Sequence, residues 1–206
     1  MDYPKTFDTE IKAFPVDQLG SQGKEAWQQL QDKGYEVRVG LTAEIASVIS
    51  QLALEPAIKE YCPKDSSERF TDQAATEKWL SKGRAVFLLI KSKDQAVVGY
   101  GWAGPATSSR IEGGEATFAI RVAEAGQGLG LATPYSRLII AGAAILYDAK
   151  NVWLEVWESN AAAAHIYHKI GAQDVTSEVL ERPTASGSMV QDIRFYMTLP
   201  DQFLNP

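Results

Sequence analysis

Three strand-like segments follow one another at 84–92, 95–105 and 115–122, and the last runs into a glycine-rich turn that opens a long apolar helix. A Lys-Asp turn separates the first two and the loop TSSRIEGG precedes the third, so they read as successive strands of a sheet. Upstream, YEVRVG alternates apolar and polar residues as a strand does. Thr42 then caps a helix on which Ile45, Val48, Ile49 and Leu52 recur at helical spacing. Pro56 is expected to break or kink that helix. A second helix is signalled by Thr71 as N-cap, by the stripe Ala75, Trp79 and Leu80, and by Gly83 at its end. The long helix covers about 131–149, with Leu138, Ile139, Ile145 and Leu146 facing inward. Gly142 falls on the same face, where it allows close packing against the sheet. The strand VWLEVW follows, then the helix NAAAAHIYHKI stopped by Gly171, and AQDVTSEVL and VQDIRFYMTL form a closing hairpin. The order β-α-α-β-β-β-α-β-α-β-β predicts an α/β fold, a mixed sheet with helices on both faces.

The chain's 206 residues, 45% of them hydrophobic, suffice for one domain with a full core. Residues 1–34 read as an N-terminal extension packing on a domain at 35–200, with a helix at 21–33 that carries Trp27 and Leu30 on one face and stops at Gly34. A net charge of −6 argues against nucleic acid as the main partner, because that binding draws on clustered Lys and Arg. A cationic or neutral partner is easier to reconcile. The opening MDYPKTFDTEIKAF shows neither a signal-peptide pattern nor a bilayer-spanning run, so no membrane partner and a cytoplasmic location are expected. Cys62 is the lone cysteine and His165 and His168 the two histidines, which predicts no disulfide and no metal site.

Gln127, Gly128, Leu129, Gly130, Leu131 and Ala132 lie between a strand ending at Val122 and the long helix, whose first turn holds Thr133 and Pro134. Free N–H groups at a helix start, with the positive end of its dipole, bind phosphate oxygens, and small residues let a phosphate approach the main chain. The alternative is a turn that merely joins two elements. A Walker loop is ruled out because no Gly-Lys-Ser/Thr follows. The dinucleotide fingerprint fails because Leu131 or Thr133 stands where its last glycine belongs.

The segment Gln127-x-x-Gly130-x-Ala132 resembles the pyrophosphate signature of the GNAT superfamily of N-acetyltransferases, Arg/Gln-x-x-Gly-x-Gly/Ala. A second block, LEVWESNAAAAHIYHKIGA, is similar to the family's strand-Asn-helix-Tyr segment, with Asn160, Ala163, Tyr167, Lys169 and Gly171 in register. Glu155, twelve residues before Tyr167, resembles the glutamate of the branch that acetylates ribosomal-protein N-termini. The resemblance covers roughly 35–200. Gln127 replaces the commoner Arg, and Ala172 stands where Phe is usual.

The resemblance implies a GNAT fold and acetyl transfer from acetyl-CoA, as co-substrate, to a primary amine by direct attack in a ternary complex. It implies that Ile120 and Val122 offer a strand edge to the pantetheine arm, that residues 127–133 hold the diphosphate, and that Asn160 touches the pantetheine besides capping its helix. Tyr167 is then the acid that protonates the departing sulfur. Without the motif it would read as a core aromatic. Period-2 alternation places Glu155 on one strand face with Trp153 and Trp157, where partial desolvation would make it a base for the amine; the alternative is a carboxylate that is solvated or paired with Lys or Arg. Tyr100 and Trp102, at a strand end, are substrate contacts or ordinary sheet aromatics, and the latter is preferred. The acceptor is a small-molecule amine or a peptide or protein amine, set by the two N-terminal helices and the loops at 104–114 and 182–190. Two other readings stay open: a noncatalytic CoA-binding sensor or partner module, and an enzyme using another acyl-CoA. Whether the chain pairs as a homodimer is also open.

Overall fold

The computed structural model describes residues 10–199. The first nine residues of the 1–34 extension, and residue 200 of the 35–200 domain, lie outside the described residues. In chain order the elements are β1 (Lys12–Ala13), α1 (Ser21–Asp32), β2 (Tyr35–Val39), α2 (Ala43–Leu52), α3 (Pro56–Tyr61), a π-helical turn (Asp65–Arg69), α4 (Gln73–Leu80), β3 (Ala85–Lys91), β4 (Val97–Pro105), β5 (Ala116–Val122), α5 (Ala132–Tyr147), β6 (Val152–Trp157), α6 (Ala161–Lys169), β7 (Gln173–Pro183) and β8 (Met189–Thr198). The strands form one sheet in the order β1-β2-β3-β4-β5-β6-β8-β7. Neighbours are antiparallel except β5 and β6, which run parallel because α5 crosses over between them.

Each face of the sheet has its own core. On one, Ala26 and Leu30 of α1, Leu138 and Ile139 of α5 and Tyr167 of α6 pack with Phe87, Leu89 and Phe118. On the other, Ile49 of α2 and Trp79 and Leu80 of α4 cover Val86, Leu88, Tyr100 and Trp102. Each fully buried Leu or Ile contributes roughly 1.5–3 kcal/mol relative to exposure, so α5 is fixed where it lies. Gly142 makes that seat possible: a Cβ there would stand 2.5 Å from the Phe87 ring.

Local chemistry differs from the sequence reading at three points. Pro56 neither breaks nor kinks α2; that helix ends at Leu52, and Pro56 opens α3 at a position where its missing N–H costs nothing. The cap of α4 is Asp72, whose carboxylate accepts from the Ala75 N–H at 2.8 Å, while the Thr71 hydroxyl turns to Asp72 itself. Tyr100 and Trp102 lie mid-strand in β4, not at its end, and are 1% and 8% exposed. Elsewhere the reading and the structure agree on Thr42, which accepts from Ile45 N–H, and on Asn160, which accepts from Ala163 N–H. No described helix is long and apolar enough to cross a membrane.

Candidate active site

β5 and β6 touch only at their N-terminal ends. Ala116 pairs with Val152 and Thr117 with Trp153; beyond that β5 continues on β4, and β6 turns to β8. The facing edges of residues 118–122 and 154–157 therefore run apart without a ladder between them. Bare strand edges hold unspent donors and acceptors, a chemical demand that an extended chain of amides can meet. Ile120 and Val122 line the β5 side and are half-buried.

At the wide end the chain leaves β5 through a short 3-10 turn and bends at Gly128 (φ +72°) and Gly130 (φ +69°) before α5 begins. Both glycines take the left-handed conformation that a side chain disfavours. Among the described residues, no amide from 128 to 133 donates to a backbone carbonyl; the first that does is Tyr135 N–H, to Leu131 O. The bend thus presents a row of free N–H groups at the positive end of a sixteen-residue helix. Gly128, Leu129 and Gly130 are exposed, Ala132 and Thr133 half-buried, and Leu131 is anchored in the core. Gln127 does not reach outward; its amide donates to Val122 O at 3.0 Å and ties the bend to the strand.

Tyr167 lies against β5, its ring edge-on to Phe118 at 5.8 Å between centroids. It is 6% exposed, and its hydroxyl has no hydrogen-bond partner among the described residues. Burial pushes its pKa up to about 12, with the charge of Arg121 pulling the other way. Glu155 stands on the opposite edge, on β6. Its side chain is 40% exposed and its Oε1 lies 2.6 Å from Arg194 Nη2, so the paired-carboxylate alternative describes its surroundings. Of the two indoles flanking it on that face, Trp153 donates to Ala106 O and Trp157 stacks under Arg194 at 4.3 Å.

Sequence reasoning missed two side-chain networks near the opening. In the first, Asp65, fully buried in the π-helical turn, accepts from Arg121 Nε at 2.8 Å, Tyr100 Oη at 2.9 Å and Arg69 Nη1 at 2.8 Å. Burial works against the Arg121 charge, but Asp65 more than restores it, so its pKa is raised; burial first, then Asp65, raises that of Tyr100. Nearby Cys62 has its thiol pushed up by burial, which keeps it from acting as a thiolate nucleophile. In the second, Arg182 of β7 pairs with Glu60 of α3 at 2.8 Å and with Asp192 of β8 at 2.7 Å, and lies over the Tyr61 ring. Tyr61 Oη in turn donates to Ser159 O, next to Asn160. These contacts clasp α3 to the closing hairpin. The one hint of the first is an arginine between Ile120 and Val122 in the strand-like run EATFAIRV. His168 lies near Asp174, at the surface, and Tyr100 and Trp102 belong to the core.

The fold is that of N-acetyltransferases. Residues 40–173, nearly two thirds of the chain, match the acetyltransferase (GNAT) domain family, and the chain belongs to that family. No curated protein matches it in sequence. Among solved structures it is similar to a spermidine N-acetyltransferase from Vibrio cholerae in complex with CoA and spermine, with 19% identity over 84% of this chain and 99% of that one and a TM-score of 0.68. A ribosomal-protein-S5-alanine acetyltransferase from Vibrio fischeri is similar at 12% identity over 84% and 96%, TM-score 0.65. A Salmonella typhimurium protein with its cofactor acetyl-CoA is similar at 17% identity over 81% and 94%, TM-score 0.60.

Proposed function

We propose that the protein transfers the acetyl group of acetyl-CoA to a primary amine by direct attack in a ternary complex. The observation that carries this is the wedge between β5 and β6, with free amides at residues 128–133 on its wide end. The amides suit a diphosphate, and the bare edge at Ile120 and Val122 suits the pantetheine arm, with Asn160 on the far side. Acetyl-CoA supplies an activated thioester; the similar solved structures that hold CoA and acetyl-CoA support the choice of donor.

The chain's own residues manage protons. A lysine-type amine, with a pKa of about 10.4, is almost wholly protonated at neutral pH and must lose a proton before it attacks. Arg194 engages one Glu155 oxygen, and the other takes that proton directly or through a bridging water. Tyr167, protonated throughout the working range because its pKa is about 12, holds its hydroxyl proton for the departing sulfur. The net charge of −6 favours a cationic acceptor, a polyamine or an amine-bearing peptide. The named activities of the two relatives, on spermidine and on a ribosomal protein, make those the first acceptors to try.

The test is thiol release from acetyl-CoA with spermidine, spermine, lysine peptides, peptide N-termini and aminoglycosides, repeated with longer acyl-CoAs. Acceptor-dependent release with at least one amine is expected. Protein that binds CoA yet releases no thiol with any acceptor would instead be a CoA sensor.

A further inference from the structure

The positive charge at the glycine bend comes from outside the segment that matches the family. Lys33 directly follows α1, and its Nζ donates to Leu129 O at 3.1 Å. The same nitrogen is 3.7 Å from where a Cβ on Gly130 would stand. Among the described residues no carboxylate lies within ion-pair distance of it. An ammonium has three donors, and the Leu129 carbonyl takes one.

The bend itself holds no cation. Glu124 is the one ionisable residue from Ala123 to Thr133, and the next positive charge along the chain is Arg137, in the second turn of α5. Gln127, where the family signature also allows Arg, spends its side chain on Val122 O. Lys33 starts from a fixed point, because Ala26 and Leu30 of α1 are fully buried in the core shared with α5.

Resting on the diphosphate reading above, we infer that Lys33 is a donor-binding residue whose ammonium pairs with the diphosphate of CoA and supplies the charge absent at position 127. The N-terminal helix is then part of the donor site as well as a packing element. Amides and ammonium act together: the amides fix the position of the phosphate oxygens, and the ammonium offsets their charge.

The experiment is calorimetric titration of the full chain with CoA, dephospho-CoA and, for turnover, S-acetylpantetheine. Lys33→Gln should raise the Kd for CoA about three- to tenfold, as expected for a partly exposed charge pair. Dephospho-CoA should show the same loss, since it keeps the diphosphate, and the KM for S-acetylpantetheine should not move. Lys33→Arg should keep affinity within about twofold, and Gln127→Arg added to Lys33→Gln should return most of the loss. Unchanged CoA affinity in Lys33→Gln overturns the inference. So does an equal loss toward S-acetylpantetheine, which would mark a displaced α1. If the parent protein itself does not bind CoA, the diphosphate reading falls too; if the parent binds and only Lys33→Gln is silent, Lys33 alone is dismissed.

Discussion

Two regions near the opening are built by different means. The bend and edge proposed above for the donor are mostly main chain: two left-handed glycines, a row of unbonded amides and a strand edge without a partner, with Lys33 the side chain that reaches them. The neighbouring networks are side chain: Asp65 gathering Arg121, Tyr100 and Arg69, and Arg182 joining Glu60 to Asp192. A main-chain site depends on where a bend falls and which small residues permit it. A side-chain site depends on partners far apart in sequence, such as Glu60 and Arg182, 122 positions apart. Substitutions at the bend should therefore act on CoA and turnover, and those in the side-chain networks on stability.

The largest contrast is expected at Tyr167. Tyr167→Phe should lower kcat by about 10²–10⁴-fold and leave CoA affinity within about twofold, measured by steady-state kinetics beside calorimetry. With the parent phenol titrating near 12, the rate should climb as the acceptor amine deprotonates and show no fall from loss of the Tyr167 proton below about pH 11. Equal turnover of the variant would remove Tyr167 from the reaction.

Next comes Asp65→Ala, which leaves Arg121 charged, 8% exposed and unpaired. Removing one partner of a buried pair typically costs about 3–5 kcal/mol, to be read from chemical denaturation. A loss below about 1 kcal/mol would mean that the cluster is not what holds the π-helical turn to the sheet. Gly130→Val forces a branched side chain into the left-handed region at a cost of about 1–2 kcal/mol, and so should weaken CoA binding by about tenfold with little effect on the amine KM. Smallest is Glu60→Gln. The Ala185 N–H and then Arg182 hold the Glu60 pKa below its ordinary 4.5. Its contribution is thus present above about pH 4.5 and fades as pH falls through the lowered value. The parent should lose up to about 1 kcal/mol across that acid range, and the variant should lack that limb.

The same division explains what the sequence could disclose. Alternation and helical stripes located the β3–β4–β5 run, α5, β6 and α6, because one buried face imposes a period on each. The bend at 127–133 is legible from its glycines and its place between strand and helix, whereas Asn160 and Tyr167 stand out only through the resemblance of their segment to the family's. Thr71 and Asp72 are both good caps, and only the backbone decides for Asp72. Glu155 was placed on the correct face, but Arg194, which pairs with it, lies on a strand 39 positions later and leaves no mark near β6. Lys33 was invisible for the same reason: an exposed lysine at a helix end gains meaning only when α1 docks beside the Gly130 bend.

The most direct measurement is an amide-resolved ¹⁵N NMR titration with CoA, run alongside one with pantetheine. The amides of Gly128, Leu129, Gly130, Ala132 and Thr133 should shift strongly with CoA and stay nearly still with pantetheine, which has no phosphate. Amides that stay unmoved while CoA binds elsewhere, or no response at about 1 mM CoA, would contradict the account at its root.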